Sequence, residues 1–269
     1  MPASYFQQLH QHHVPLILST IWDPASAVLA QQQGAKAIGT SSAALAWSLG
    51  YKDGEHLPAS ELLAAIKRIQ RVNKLPLSVD IEQGYSKDPE QIARLVLQLV
   101  ALGVAGINLE DGNDSPELLC AKIRCCREAL AGKELFINAR TDIYLARLAE
   151  GQTAVEFCME RAALYQAAGA DGLFIPCLVE PLAIQQLCQA IQMPINLMWL
   201  ANLPDKTQLA AFGVKRLSYG PALFLHCYQS LQNEMAQQLG STVQPSEQLT
   251  GSKLEQWYES GAAVSQPNK

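Results

Sequence analysis

The feature that most constrains the fold is a regular alternation of short apolar runs and helix-like segments along most of the chain. The apolar runs have the length of β-strands and lie at residues 14–21, 35–42, 75–82, 105–110, 135–142, 172–178, 194–199 and 214–220. Strands that are apolar on both faces, each followed by a helix, indicate a parallel sheet covered on both sides.

Proline or an acidic residue opens several of the intervening segments, and glycine ends many of them. The predicted helices span residues 25–33, 59–73, 89–102, 115–132, 154–168, 180–191, 206–212 and 222–239. Eight strand–helix units in a chain of 269 residues match a (β/α)₈ TIM barrel in number and size. A doubly wound open sheet is the alternative, but it would carry a glycine-rich phosphate turn after its first strand. The sequence there is Ile21-Trp22-Asp23-Pro24, so the barrel is favoured.

The barrel domain is predicted to occupy residues 1–240, followed by a linker and helical tail at residues 241–269. Residues 249–260 have helical character with an apolar side formed by Leu254, Trp257 and Tyr258. Such a tail packs either on its own barrel or on a neighbouring subunit, and the sequence leaves both arrangements open.

Charge and hydropathy exclude several classes of partner. A net charge of -5 and a pI near 5.6 argue against a nucleic-acid-binding surface. No apolar run has the length of a membrane span, and residues 1–13 lack the apolar core of a signal peptide. His10, His12 and His13 lie in this polar lead-in, which we expect to be flexible or helical rather than a metal site.

The seven cysteines contain no Cys-x-x-Cys pair. An odd number of cysteines in a chain of this size indicates reduced thiols, so we expect a cytoplasmic protein.

Polar residues recur at the carboxyl ends of the predicted strands, where the chemistry of a barrel collects. They are Gly39, Ser41, Asp80, Glu82, Asn108, Glu110, Asn138, Arg140, Asp142, Asn196, Ser218 and Gly220. Asp80 and Glu82 alternate with apolar residues and are therefore predicted to share one strand face. Two such carboxylates suit a divalent ion of the magnesium type, although a solvated strand end is the alternative explanation.

Arg140 is the most informative residue of this set. It follows Ile137 and Ala139 in a strand that should be buried, so its guanidinium needs an anionic partner. The partner is either a substrate carboxylate beside a metal ion, or Glu82 or Glu110 in an ion pair that involves no substrate.

Several motifs together resemble the isocitrate lyase/phosphoenolpyruvate mutase superfamily over residues 14–239. They are Thr40-Ser41-Ser42-Ala43-Ala44, Ser48-Leu49-Gly50-Tyr51-Lys52-Asp53-Gly54, Val79-Asp80-Ile81-Glu82-Gln83-Gly84-Tyr85, Ile107-Asn108-Leu109-Glu110-Asp111, Asn138-Ala139-Arg140-Thr141-Asp142 and Leu217-Ser218-Tyr219-Gly220-Pro221-Ala222. The resemblance implies a (β/α)₈ barrel that binds Mg²⁺, with Mn²⁺ as an alternative ion, and a small keto or hydroxy acid.

By motif match, the resemblance implies that Asp80 binds the metal directly. Asp53, Glu82 and Glu110 would hold metal-bound waters. Ser41, with the amides of Ser42 and Ala43, would bind the substrate carboxylate or oxyanion, and Arg140 would pair with it. The substrate-binding set also includes Asp80 and Asn196. The resemblance further implies a homo-oligomer, a dimer or a tetramer, with residues 222–239 exchanged between neighbouring subunits.

Two departures from the family pattern narrow the reaction. Family lyases that cleave isocitrate or methylisocitrate carry a long loop with a Lys-(Lys/Arg)-Cys-Gly-His motif after the Glu-Asp pair. Here residues 110–116 pass directly into a predicted helix, and Cys125 and Cys126 fall inside that helix. Glu82 also replaces the aspartate that many relatives have in an Asp-x-Asp pair.

Without the loop cysteine, a metal-dependent carbon–carbon lyase that decarboxylates an oxaloacetate-type acid fits best, because departing carbon dioxide needs no protein base. Cleavage of an acylpyruvate or a 2-hydroxy acid, with a metal-bound water or Tyr85 transferring the proton, comes next, together with isocitrate-like cleavage. Phosphonopyruvate-type P–C chemistry and a non-catalytic barrel that binds keto acids also stay open.

Overall fold

The computed structural model describes residues 3–243 and 248–264, in which eight parallel strands close into one barrel. The strands are β1 Leu16–Ile21, β2 Ile38–Thr40, β3 Leu77–Asp80, β4 Gly106–Glu110, β5 Phe136–Arg140, β6 Gly172–Ile175, β7 Ile195–Met198 and β8 Arg216–Ser218. Because β1 pairs in parallel with both β2 and β8, the ring has no open edge. The predicted (β/α)₈ TIM barrel is confirmed.

Helices surround the barrel and extend beyond it. They are α1 Ala3–Leu9, α2 Pro24–Gln32, α3 Ser42–Ser48, α4 Ala59–Gln70, α5 Pro89–Ala101, α6 Pro116–Leu130, α7 Gly151–Ala168, α8 Pro181–Ala190, α9 Lys206–Phe212, α10 Ala222–Gln238 and α11 Gly251–Val264. The predicted C-terminal helix is therefore present as α11. Residues 244–247 of the predicted linker and residues 265–269 of the predicted tail lie outside the described residues.

Alternation along the strands separates an apolar outer layer from a polar interior. Val79, Ile107, Ile137 and Leu173 are fully buried between the strands and the helices. Side chains at the neighbouring positions point into the barrel instead, because successive side chains of a strand face opposite ways. The polar strand-end residues are thereby directed towards the barrel axis.

Helix α1 packs against the amino-terminal end of the barrel. The Phe6 ring is buried there and lies edge-on to Phe136, with ring centroids 5.6 Å apart. His10 follows α1, stacks on Phe136 and donates a hydrogen bond from Nδ1 to the Phe6 carbonyl over 2.8 Å. The amino-terminal segment is thus partly core, which the sequence analysis did not predict. Gly106 permits this packing, since a Cβ there would lie 2.7 Å from the Phe6 ring.

Six of the eight strands end earlier than predicted, and two of the expected strand-end carboxylates lie in the following turns. Strand β3 ends at Asp80, and Glu82 has a left-handed backbone with φ 52°. The prediction that Asp80 and Glu82 share one strand face is therefore wrong, because the chain turns between them. Asp142 likewise lies beyond the end of β5.

Helix α3 was also not predicted, because residues 35–42 look like one continuous strand. Strand β2 instead stops at Thr40, and Ser41 caps α3 by accepting a hydrogen bond from the Ala44 amide. Among the described residues, no helix is both long and apolar enough to cross a membrane.

Candidate active site

A cavity of about 260 Å³ lies at the carboxyl ends of the barrel strands. Six of the predicted site residues line it: Ser41, Ser42, Ala43, Asp53, Asp80 and Arg140. Four others do not line it: Glu82, Tyr85, Glu110 and Asn196. The structure thus brings residues from β3, β5, the start of α3 and the loop around Asp53 to one small space. The remaining predicted residues lie outside the cavity lining.

Asp80 is the central carboxylate of this cavity and is 7% exposed. Its Oδ1 accepts a hydrogen bond from the Glu82 amide over 3.0 Å, and its Oδ2 accepts one from Asn108 Nδ2 over 3.2 Å. Its own amide donates to Thr40 Oγ1 over 2.9 Å. Neighbours on three strands or turns therefore fix the carboxylate, which suits a direct metal ligand.

Two loops beside Asp80 exchange hydrogen bonds through carboxylates. The Glu55 amide donates to Glu82 Oε2 over 2.6 Å, and the Tyr85 amide donates to Glu55 Oε1 over 2.6 Å. Tyr85 also donates its hydroxyl hydrogen to Glu82 Oε1 over 3.1 Å. All three residues have positive φ, between 52° and 63°, a strained conformation for residues with side chains.

The carboxylates of this region raise one another's pKa. Burial, with the nearby Asp53 and Asp80 carboxylates, raises the pKa of Glu82 to about 8. Burial and Asp80 also raise the pKa of Asp53, and burial raises the pKa of Glu110 against the opposing pull of Arg140. The part of these shifts that comes from neighbouring carboxylates is repulsion, which a bound cation would relieve.

Arg140 is already paired with two carboxylates. Its Nε and Nη2 donate to Asp142 over 2.6 and 3.0 Å, and its Nη1 lies 2.7 Å from Glu110 Oε2. The ion pair with Glu110 that the sequence analysis left open is thus present, and the guanidinium also lines the cavity. Asp142 engages two of the five N–H groups of the guanidinium, so others remain available for an anion in the cavity.

A buried aspartate braces this pair from behind. Asp111 is fully buried, and its Oδ1 accepts a hydrogen bond from the Asp142 amide over 2.9 Å. Its Oδ2 accepts bonds from Arg161 Nη1 over 2.6 Å and from the Tyr165 hydroxyl over 2.5 Å. Helix α7 therefore holds Asp142, and through it Arg140, in place.

A layer of amides crosses the barrel interior next to the cavity. Asn138 Nδ2 donates to Asn108 Oδ1 over 3.0 Å and to Asn196 Oδ1 over 3.2 Å, and Asn196 Nδ2 in turn donates to Ser218 Oγ over 3.2 Å. Asn196, which was predicted to bind substrate, is 1% exposed and lies in this layer rather than on the cavity wall. Its contacts support the cavity from inside the barrel.

Arg216 is a functional candidate that the sequence analysis missed. It is fully buried on β8 and borders the cavity, and its Nη2 donates to Asn108 Oδ1 over 3.2 Å. Among the described residues, its Nε and Nη1 find no hydrogen-bond partner. Burial lowers its pKa to about 9. Like Arg140, Arg216 is an arginine within a predicted buried strand, and this pattern is visible in the sequence.

The residues present fit a divalent metal ion. Two buried carboxylate oxygens near Asp80, Asp53 Oδ1 and Glu110 Oε2, accept no hydrogen bond from any described residue. Glu110 Oε2 forms an ion pair with Arg140, but the two groups are not aligned for a hydrogen bond. Within residues 3–243 and 248–264, no three His, Cys, Asp or Glu side chains converge closely enough to bind one ion directly. This donor set matches an ion that takes few direct carboxylates and keeps several waters, as Mg²⁺ does.

Ser41 lies at the start of α3, on the cavity wall. Its Oγ accepts the capping hydrogen bond from the Ala44 amide over 3.3 Å and keeps its own O–H as a donor. The amides of Ser42 and Ala43 belong to the first turn, where N–H groups have no partner within the helix. All three residues line the cavity that Arg140 and Asp80 also border.

The connection between β4 and α6 consists only of residues 111–115, so the long loop expected in isocitrate-cleaving relatives is absent from this position. Cys125 and Cys126 both lie within α6, as predicted, and Cys126 is fully buried. Burial raises the pKa of the Cys126 thiol to about 12, so this sulfur is unreactive.

Comparison with known proteins identifies the family. The phosphoenolpyruvate phosphomutase family model matches residues 6–239. Oxaloacetate decarboxylase of Pseudomonas aeruginosa is 28% identical over 256 residues, which cover 89% of this chain and 85% of the relative. 2-Methylisocitrate lyase of Escherichia coli K12 is 32% identical over 218 residues, covering 76% of this chain and 70% of the relative.

A solved structure shows the same relationship. A protein from Burkholderia cenocepacia J2315, provisionally assigned as a phosphonomutase, superposes with a TM-score of 0.83 at 35% identity, covering 87% of this chain and 98% of that chain. Both the matched range and this identity extend over most of the barrel. The chain therefore belongs to the phosphoenolpyruvate phosphomutase family and is an enzyme of the isocitrate lyase/phosphoenolpyruvate mutase superfamily.

Proposed function

We propose that this enzyme is a divalent-metal-dependent lyase that cleaves a carbon–carbon bond in a small α-oxo or 2-hydroxy carboxylic acid, with decarboxylation of an oxaloacetate-type acid as its reaction. One observation carries this choice of reaction. Among the described residues, no His, Cys, Tyr or Lys side chain lines the cavity, and its carboxylates Asp53 and Asp80 are assigned to the metal, so no wall side chain is left to protonate or deprotonate a leaving group. Carbon dioxide leaves without needing one.

The cavity has the size and polarity of a site for a small acid. Its volume of about 260 Å³ is below the range of typical drug-sized pockets. Ser41, Asp80 and Arg140 contribute polar groups to its lining, and Phe174 and Met198 contribute apolar surface. A keto acid of a few carbons, which has both carboxylate oxygens and a short carbon chain, matches this mixed lining.

The metal would be Mg²⁺ or Mn²⁺, bound directly by Asp80, with Asp53, Glu82 and Glu110 accepting hydrogen bonds from its waters. When bound, such an ion supplies the positive charge that stabilises an enolate. The buried Asp53 Oδ1, which has no hydrogen bond from any described residue, supports this assignment.

The chain's own residues would bind and orient the acid. Arg140 and the donors at the start of α3 would hold a substrate carboxylate, because both supply N–H or O–H groups to the same cavity. As the bond to the departing carboxyl group breaks, its electron pair forms the enolate, and a proton from solvent then completes the keto acid product. Tyr85, predicted to act in catalysis, directs its hydroxyl to Glu82, so we assign it to holding that carboxylate.

The relatives support the same reaction class. Oxaloacetate decarboxylase of Pseudomonas aeruginosa matches 89% of this chain, and the match to 2-methylisocitrate lyase keeps cleavage of a longer hydroxy acid as the second candidate. The short connection at residues 111–115 favours decarboxylation over cleavage of a longer hydroxy acid.

A homo-oligomer remains part of the proposal. Helix α10 exposes Leu223, Leu231 and Met235, and Leu239, which caps its C-terminal end, is 84% exposed. Exposed apolar side chains on one helix favour burial against another subunit. Light scattering after size exclusion would measure the number of subunits.

The function is tested by incubating metal-stripped protein, with and without Mg²⁺, with oxaloacetate, 2-methylisocitrate and phosphonopyruvate, and following the products by NMR. Oxaloacetate loses carbon dioxide slowly with Mg²⁺ alone, so Mg²⁺ without protein and the Asp80→Asn variant give the background. We expect pyruvate from oxaloacetate well above both backgrounds. Turnover of only another panel member would replace the proposed substrate, and binding without turnover would favour a non-catalytic barrel.

A further inference from the structure

The C-terminal helix α11 packs against the part of the chain that forms one side of the cavity. Gly251 lies against the Trp47 ring so closely that a Cβ there would be 2.5 Å from two ring atoms. Leu254 and Tyr258 pack with Trp47 and Phe224, and the Tyr258 hydroxyl donates to the Trp47 carbonyl. Helix α11 therefore contacts α3 although it lies outside the repeating barrel units.

One side chain of α11 reaches two cavity residues at once. Glu255 Oε1 accepts a hydrogen bond from Trp47 Nε1 over 2.8 Å and another from the Asp53 amide over 3.1 Å. Both Trp47 and Asp53 line the cavity. A single carboxylate oxygen of Glu255 thus connects Trp47 of the cavity wall with the loop that contains Asp53.

The Asp53 loop depends on such a tie. Asp53 Oδ1 is buried without a hydrogen bond from any described residue. Because this oxygen has no partner, the side chain does not anchor the loop, and the position of Asp53 depends on contacts to its backbone. The Glu255 contact is a charge-assisted hydrogen bond to that backbone.

We propose that α11 is part of the active site, with Glu255 as the positioning residue that holds Asp53 and Trp47 in place. The effect on metal binding rests on the proposed function, whereas the tether itself does not. Removing the Glu255 carboxylate frees the loop around Asp53 and weakens binding of the divalent ion, without removing any group that would touch the ion or the substrate.

The chain offers a matched control on the same helix. Glu259 pairs with Lys52, but their side chains are 59% and 36% exposed. An exposed pair of this kind contributes little to stability and does not reach the cavity. Glu259→Ala therefore removes a carboxylate from α11 while leaving the contacts of Glu255 with Trp47 and Asp53 in place.

The test compares full-length wild type with Glu255→Ala, Glu255→Gln and Glu259→Ala. Hydrogen exchange of residues 47–57 is measured in metal-free protein, and Mn²⁺ affinity is measured by titration. For Glu255→Ala we expect exchange in this segment to rise, and Mn²⁺ affinity to fall, each by about tenfold, the size of one lost charge-assisted hydrogen bond. Glu255→Gln, which keeps an acceptor oxygen, should restore most of both, and Glu259→Ala should match wild type.

Unchanged hydrogen exchange of residues 47–57 in Glu255→Ala, or an equal increase in Glu259→Ala, would show that Glu255 does not hold this loop in place. If wild type binds no Mn²⁺ but hydrogen exchange of residues 47–57 still rises only in Glu255→Ala, the proposed metal dependence is wrong, whereas the positioning role of Glu255 is supported. Thermal unfolding of each variant separates a loosened loop from global unfolding.

Discussion

Arg140 Nη1 lies 2.7 Å from Glu110 Oε2 while Asp142 engages the other side of the same guanidinium. Arg140 is therefore held rigidly in a position where donors remain for a substrate. A lysine has three donors on one atom and cannot bridge two carboxylates and an anion in this way.

We accordingly expect Arg140→Lys to lower kcat/KM by about a hundredfold, mostly through a higher KM. Steady-state kinetics with oxaloacetate would measure this. Arg124→Lys, a change on the exposed side of α6, is the control. A KM for Arg140→Lys equal to that of wild type would remove Arg140 from substrate binding.

Asp80→Ala should reduce metal-dependent turnover by at least about a thousandfold, because Asp80 is the proposed direct ligand. The melting temperature should change little, since barrel mouths contribute less to stability than the packed interior. Parallel kinetics and thermal unfolding would measure both quantities. Retained turnover would assign the metal to other residues.

Arg216→Met should affect the two ligands in opposite directions. The buried guanidinium of Arg216 repels a divalent cation in the cavity and attracts an anionic substrate, so its removal should tighten Mn²⁺ binding and weaken keto-acid binding, each by about tenfold. Calorimetric titration of each ligand would measure the shifts. A loss of affinity for both Mn²⁺ and the keto acid would indicate general damage to the barrel interior instead.

His10 should make stability depend on pH. Burial and Arg216 lower the pKa of His10 from 6.5 to about 3. In the unfolded chain, His10 therefore binds a proton below about pH 6.5, whereas in the folded chain it binds that proton only below about pH 3. This contribution to stability is complete above pH 6.5 and falls by about 1.4 kcal/mol per pH unit as the pH drops through that window.

Urea unfolding of wild type and His10→Gln between pH 4 and 7 would measure the difference in slope. We expect the free energy of unfolding to fall more steeply for wild type as the pH is lowered. Parallel curves for the two proteins would show that His10 titrates alike in the folded and unfolded states.

Cys125→Ala and Cys126→Ala, made together, should leave kcat/KM within about twofold of wild type, because both thiols lie in α6 away from the cavity wall. Initial rates at saturating and limiting substrate would show this. Loss of turnover in a folded double variant would mean that one of these thiols takes part in the reaction.

The sequence was sufficient to predict the barrel, because the alternation of strands and helices and the proline and glycine boundaries are local patterns. The position of Asp80 and Arg140 at strand ends followed from the same patterns, and both line the cavity. The family resemblance added the acidic set, including Asp53, whose loop position no periodicity would have indicated.

The missed features depend on contacts between distant parts of the chain. The turn after β3, which moves Glu82 off the strand, is stabilised by Glu55 and Tyr85 through hydrogen bonds. The contact of Glu255 with Asp53 joins residues 202 positions apart. The position of Arg216 in a buried strand is visible in the sequence. Its contacts with Asn108 and with the Phe6 ring are not, because they join distant parts of the chain.

The central claim is that Asp80 binds a divalent metal ion in this cavity. A crystal of the full chain soaked with Mn²⁺ and a keto acid, with anomalous data collected, tests it most directly. The account predicts one anomalous peak about 2.1 Å from an Asp80 carboxylate oxygen, with water between the ion and Glu110. A peak bound elsewhere, or no peak in the cavity at saturating Mn²⁺, would contradict it.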